Sequence, residues 1–473
     1  MLLLGHWVLE PPPRWMPVAL AALPLAALAV RRFGAVTRPG DRHRRGAEII
    51  GWRRARNRDA ARGPGGAGRI TLAGLGIAPL DEVKHFKILG TTGTGKSTAI
   101  RELLSAALAR GDRAIIADPD GGYAAHFHRA RRGDLILNPF EPESVRWDWR
   151  AEVRNSYDID QLASGLIPAS QDSAGEEWRG YARTFLVAVA RACVAQRRAD
   201  ADELWRLLTL ASCAELRPLL AGTPAGAFLE PDNARMFGSI RSVTGSAMAA
   251  FEHLRTQRAR PFSVRGWVAD PASAGALFIP YKAGQIAALR AVIAAWLRLA
   301  IFEAMDAPEG RDQRLWFIID ELDALGAIEG LKDALARLRK FGGRCVLGFQ
   351  SIAQVSSTYG TGSAQTIVEN CANTLILRCA GSENGGTSQF ASKLIGEREV
   401  RRRQTARTRD HGGPFGARDA RRSTNVSEQN VVETAVLASE IERLPDLRGY
   451  LKRASTPAWC EVRLDREPCK SRR

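Results

Sequence analysis

The stretch FKILGTTGTGKSTAIRELL, Phe86 to Leu104, constrains this chain more than any other. Gly90, four further residues, then Gly95, Lys96 and Ser97 fit the phosphate-loop pattern G-x-x-x-x-G-K-[ST] without a mismatch. The pattern carries meaning only between a strand and a helix. The apolar run FKIL reads as the strand, and STAIRELLSAALARG has apolar residues at helical spacing and stops at Gly111, a natural C-terminal cap. Strand, loop and helix stand in the required order, which argues against an ordinary Gly-rich turn. Along Gly90, Thr91, Thr92, Gly93, Thr94, Gly95, Lys96, Ser97 and Thr98, backbone N–H groups can close around phosphates at a helix N-terminus. Lys96 would neutralise the β and γ oxygens of a nucleoside triphosphate, and Ser97 would offer its hydroxyl to Mg2+.

A second motif says what becomes of the nucleotide. From Arg69 to about residue 150 the chain alternates α and β, with DRAIIADPDGG and GDLILNPF as short β-rich runs, the start of a parallel sheet. Between about 155 and 261, stretches such as EEWRGYARTFLVAVARACVAQ and ADELWRLLTLA read as helix throughout: an inserted helical domain, or an elaboration packed on the sheet. The α/β pattern resumes with GALFIPY, a long helix GQIAALRAVIAAWLRLAIFEAM, and RLWFIIDEL. There an apolar strand ends in two carboxylates, a Walker B signature. Asp320 would hold the Mg2+ shell, and Glu321 would orient and deprotonate the attacking water. Paired acids point to hydrolysis rather than storage. The following helix ends in Arg337, Arg339 and Lys340, and the next strand ends at Gln350, where a side chain would sense the γ-phosphate. Basic residues at a helix C-terminus are also simple dipole chemistry. No N-K-x-D guanine signature occurs, so ATP is the expected nucleotide.

At 473 residues and 45% hydrophobic content the chain can build two or three domains with real cores. Its seven scattered cysteines form no C-x-x-C pair, which fits a reducing compartment without a zinc module, and His126 and His128 lack partner ligands at metal spacing. A net charge of +17 suggests an anionic partner, nucleic acid or a phospholipid surface, although arginine can also be a solvated face. Residues 16–30, MPVALAALPLAALAV, carry no charge, and residues 31–62 then hold eleven arginines against Asp41, Glu48 and Asp59. Fifteen residues rise only about 22 Å as a helix, short of the ~30 Å hydrocarbon core. The charge order favours a membrane anchor with the bulk of the chain cytoplasmic over a signal peptide cleaved after Ala27–Ala29, whose charges would come first. The opening MLLLGHWVL could be a stub of another span. A second basic run, EREVRRRQTARTRD from 397 to 410, reads equally as a polyanion contact and as a solvated loop.

Together GTTGTGKST, RGDRAIIADPDG, LILNPF, EEWRGYAR, LWFIIDEL, GFQS and EIERLPDLRGYL resemble, over nearly the whole chain and in matching order, the type IV coupling proteins of bacterial conjugation. The resemblance implies an α/β fold: a RecA-like P-loop NTPase with a mostly parallel central sheet, an inserted all-α domain and an N-terminal membrane anchor. The expected boundaries are 1–45 for the anchor, 46–154 and 262–473 for the nucleotide-binding domain, and 155–261 for the insertion. It further implies an inner-membrane homohexameric ATPase that receives relaxase-bound DNA and passes it to a type IV secretion channel. It places an arginine finger at Arg339 in LARLRKFGG, acting on the neighbouring subunit's site, with Arg337 and Lys340 the nearest rivals. Two departures from the family pattern are expected: one apolar run and a stub where the family usually has two membrane helices, and no acidic C-terminal extension like that of some members. A receptor for protein substrates and an FtsK-like double-stranded DNA translocase are the alternatives, the latter without its usual linker and winged helix.

Overall fold

Alternating apolar residues sort the strands between two cores. Phe86, Ile88, Ala114, Ile116, Trp316 and Ile318 face one, and Leu89, Ile115, Ala117, Leu315, Phe317 and Ile319 face the other, so each strand is buried on both sides as a central parallel strand must be. The computed structural model describes residues 41–61, 69–170, 172–196, 200–308, 313–382, 385–409 and 422–465. Among them, ten strands make the main sheet. In chain order these are β1 (Ile49–Ile50), β2 (Phe86–Leu89), β3 (Arg113–Pro119), β4 (Leu135–Ile136), β5 (Ala276–Tyr281), β6 (Leu315–Ile319), β7 (Gly343–Phe349), β8 (Asn373–Ile376), β9 (Arg448–Lys452) and β10 (Trp459–Arg463).

The spatial order is β1-β10-β9-β8-β2-β7-β6-β3-β5-β4. From β8 to β4 every neighbouring pair is parallel, and β9 joins β8 antiparallel. Parallel strands put all their carboxyl ends on one edge, where a doubly wound sheet binds ligands. Four helices matter for that edge: α1 (Lys96–Ala109), α2 (Gly122–Phe127), α3 (Ile286–Met305) and α4 (Leu331–Leu338). Gly111, with φ at +85°, ends α1 as its position suggests.

From Asp158 to Leu254 the regular elements are all helical. Their starts are written locally: Asp172, Asp200 and Ser212 each accept a backbone N–H from the first turn of the helix they cap. The entry strand Arg146–Trp147 pairs with the exit strand Pro261–Phe262, so the helical segment leaves and rejoins the sheet at one point. Buried Arg265 binds Asp158 at 2.6 Å and Glu303 of α3 at 2.8 Å, tying the segment's root to the sheet's helix layer.

The described part of the basic run after Gly396 is strand rather than loop. Glu397–Arg409 forms a strand between Arg42–Gly46 and Arg422–Thr434 in a separate three-stranded sheet. Residues 41–45 and Glu399–Glu433 form a unit of their own by contact. Some of its arginines are paired within it: Arg44 (2.8 Å) and Arg45 share Glu399 while remaining half or more exposed, and Arg402 binds Asp41 at 3.2 Å and Glu433 at 2.9 Å. Most of the expected anchor, and Cys469, lie outside the described residues. Among the described residues no helix is long and apolar enough to cross a membrane, and no cluster could hold a metal through three His, Cys, Asp or Glu side chains.

Candidate active site

The loop that follows β2 is tied at its start to neighbouring backbone. Gly90 N donates to Phe349 O of β7, and Thr91 donates to Arg378 O through its N–H (2.9 Å) and its hydroxyl (3.3 Å). Gly95, at φ +114°, must be glycine twice over: that φ is costly for other residues, and a Cβ would stand 2.7 Å from the side chain of Leu447. Leu447 itself sits at φ +63°, donates its N–H to Thr94 O at 2.9 Å, and braces the loop from the segment before β9.

Lys96 opens α1 and donates to Gly90 O at 2.9 Å and Thr91 O at 3.3 Å. Burial pulls its ammonium below the ordinary lysine value, against the opposing pull of Asp320 and Glu321. One residue on, Ser97 donates to Asp320 Oδ2 at 2.7 Å. Asp320 follows β6 and can sit this close to β7 because Gly348 has no side chain; a Cβ there would be 2.0 Å from Asp320 O. The other carboxylate oxygen, Asp320 Oδ1, is buried and has no hydrogen-bond partner.

Glu321 accepts from Gln350 Nε2, while Gln350 Oε1 accepts from Thr92 at 3.2 Å. Gln350 thus bridges loop and carboxylate from the end of β7. Burial, then the nearby charges of Asp320 and Asp323, push the Glu321 carboxyl above the ordinary glutamate value. Thr92, Gly93, Gly95, Lys96, Ser97, Thr98, Asp320, Glu321 and Gln350 line one cleft of about 300 Å3.

Arg339 is elsewhere. It lies in the short turn Arg339–Phe341 before β7, whereas Gln350 lies just after it. A strand of that length spans about 23 Å at ~3.3 Å per residue, so Arg339 is on the opposite edge of the sheet from its own chain's cleft. Among the described residues Arg337, Arg339 and Lys340 are exposed and have no acidic partner.

Sequence reasoning missed three contributors. Asp446 and Leu447 line the cleft from the chain's far end, and Asp446 is held by Arg378 at 2.7 Å. Tyr123 of α2 donates its hydroxyl to Asp320 Oδ2 at 2.8 Å. The string RLPDLRGYL carried a family likeness but no chemical reason to face a phosphate loop, and nothing local marks Tyr123.

A glycine-rich loop leading into a helix, a carboxylate pair at the end of a nearby strand and a glutamine on the strand between them define a P-loop NTPase on a RecA-like sheet. The family model of the type IV secretion-system coupling protein DNA-binding domain matches residues 69–465, and the chain belongs to that family. It is 30% identical to the coupling protein TraD of Escherichia coli (strain K12) over 387 residues, 81% of this chain and 52% of TraD. It therefore spans about half of that relative's length. Among solved structures, unbound TrwBdeltaN70, a bacterial conjugative coupling protein, matches with a TM-score of 0.80 and 30% identity over 92% of this chain and 96% of its own. TrwB bound to ADP and Mg2+ matches with a TM-score of 0.78 and 30% identity over 92% of this chain and 98% of its own. TrwB has also been captured with the ATP analogue ADPNP and with the GTP analogue GDPNP.

Proposed function

We propose that the chain is an ATP-hydrolysing motor that moves relaxase-bound DNA toward a type IV secretion channel, as a homohexameric ring at the bacterial inner membrane. The hydrolytic part rests on one observation: the cleft at the carboxyl edge of the sheet gathers a loop lysine, a loop serine, two carboxylates and a bridging glutamine. Membership of a family described by its DNA-binding domain supports the nucleic-acid substrate, and the ADP–Mg2+ complex of TrwB supports the nucleotide and its ion.

The residues fit a divalent cation. Asp320 Oδ1 is a buried acceptor without a donor, and the Ser97 hydroxyl lies on the same carboxylate. Bound there by Ser97 and Asp320, Mg2+ would supply positive charge to the β- and γ-phosphoryl oxygens. The loop N–H groups from Gly90 to Thr98 cradle the phosphates, and Lys96 exchanges its bonds to loop carbonyls for bonds to phosphate oxygens. Glu321 orients the attacking water and takes its proton. Gln350, bonded to Thr92 and Glu321, reports the state of the γ-phosphate to the base. The remaining positive charge comes from Arg339 of the partner subunit, since a chain's own Arg339 lies at the opposite edge of the sheet from its cleft. In this scheme residues 46–154 and 262–473, apart from the separate unit at Glu399–Glu433, form the motor, 155–261 an inserted helical domain, and the anchor lies in the part of 1–45 that precedes the strand Arg42–Gly46.

The test is ATP turnover by the full chain with and without DNA, over a range of salt. DNA should stimulate turnover, and DNA binding should weaken with salt by a log–log slope of several units, about 0.7 to 0.9 per phosphate contacted. Lys96→Ala should lose turnover while keeping its thermal melt. Turnover indifferent to DNA, with binding indifferent to salt, would replace the DNA pump with a receptor for protein substrates.

A further inference from the structure

We infer that Tyr123 is a positioning residue that holds Asp320 ready for a divalent cation, an inference that rests on the nucleotide-hydrolysis reading above. Tyr123 is only 2% exposed, and its hydroxyl donates to Asp320 Oδ2 at 2.8 Å. The Ser97 hydroxyl donates to the same oxygen at 2.7 Å. With both donors on Oδ2, the carboxylate cannot turn without breaking two hydrogen bonds, and Oδ1 is left buried and unpaired. A buried acceptor without a donor is costly, and a cation beside Ser97 and Oδ1 removes that cost. When the Ser97 hydroxyl turns to the cation, Tyr123 remains as the side-chain donor that keeps Asp320 in place.

The tyrosine is itself held. Asp118, at the end of β3, accepts the N–H of Tyr123 at 2.9 Å on one oxygen and that of Ala124 at 2.7 Å on the other, pinning the first turn of α2. The Arg101 guanidinium lies 5.8 Å from the centre of the tyrosine ring. A phenol is a hydrogen-bond donor with an ordinary pKa of about 10, so it can donate throughout the working pH range. Partners of this kind, one bond removed from a metal, commonly change its affinity 10- to 100-fold when lost.

The experiment compares full-length wild type with Tyr123→Phe, which removes one oxygen, by the fluorescence of a labelled ADP in EDTA and across a Mg2+ titration. Metal-free ADP affinity should be unchanged. The Mg2+ concentration giving half-maximal tightening should rise about 10- to 100-fold, and excess Mg2+ should restore wild-type affinity. Equal Mg2+ midpoints for the two proteins would overturn the inference. If wild type itself fails to bind ADP with and without Mg2+, the nucleotide reading falls instead. If Tyr123→Phe does not melt cooperatively, Asp118→Asn decides: it keeps the hydroxyl but loosens the start of α2, and should shift the midpoint in the same direction by less. An unchanged midpoint there would equally overturn the inference.

Discussion

Glu321 and Asp320 are adjacent in sequence but live in different surroundings. Asp320 receives two hydroxyl donors, from Ser97 and Tyr123, and Glu321 receives the amide of Gln350. Burial and its two acidic neighbours raise the Glu321 carboxyl above its ordinary value of 4.5. A base with a raised pKa stays protonated, and therefore idle, to higher pH. The acid limb of kcat should accordingly rise through a midpoint above 4.5, and Glu321→Gln should lose that limb along with most turnover. Steady-state rates from pH 4.5 to 8 check this; an unchanged limb in the variant would remove Glu321 from the base role. Glu321 and its strand were legible because an apolar run ending in two acids is a local pattern. Tyr123 was not, because its only functional contact is with a residue almost two hundred positions away.

At the scale of elements, His85 shows how packing decides what a side chain does. It precedes β2 at φ +55°, faces the carbonyl of Leu335 near the end of α4 with Nε2 at 2.8 Å, and accepts the N–H of Cys345 of β7 on Nδ1 at 3.1 Å. It therefore joins a helix and two strands at the amino edge of the sheet. Burial, with the charges of Arg339 and Arg344 adding to it, depresses the imidazole from 6.5 to about 4. Since the folded value lies below the unfolded one, this contribution is complete above pH 6.5 and is lost as pH falls from 6.5 toward 4. Linkage puts the loss at about 3 kcal/mol. The difference in urea stability between wild type and His85→Gln should shrink over that window; a difference independent of pH would rule out a neutral buried imidazole. The basic run 397–410 gives the opposite lesson. Its arginines were readable, but its Glu399 pairs with Arg44 and Arg45, more than 350 residues away in sequence. A loop and a braced strand look alike until those partners meet.

For the whole molecule, the decisive fact is that Arg339 stands on the far edge of the sheet from its own chain's cleft. In the proposed mechanism the second cation of the transition state then comes from another copy, which a head-to-tail ring would supply. Arg339→Ala should bind ATP normally and lose hydrolysis by about 10³ to 10⁵. Mixed with excess Lys96→Ala chains it should regain some turnover, because one junction can pair an intact Lys96 with an intact Arg339. Turnover is read across mixing ratios after co-assembly is confirmed by light scattering. No recovery at any ratio would take Arg339 out of the partner's site.

The sequence by itself determined the strand, loop and helix around Lys96, the acid pair after Ile319, the strand ending at Gln350 and the helical run between the two α/β segments. Each of these depends on residues within one or two turns of one another, where spacing and capping suffice. Only the tertiary structure decided that Leu447 and Asp446 complete the cleft, that Gly348 makes room for Asp320, that Tyr123 steadies it and that Arg339 faces away. Those outcomes depend on strand order and direction, which are set by burying both faces of the sheet at once, and no local window of the chain contains that information.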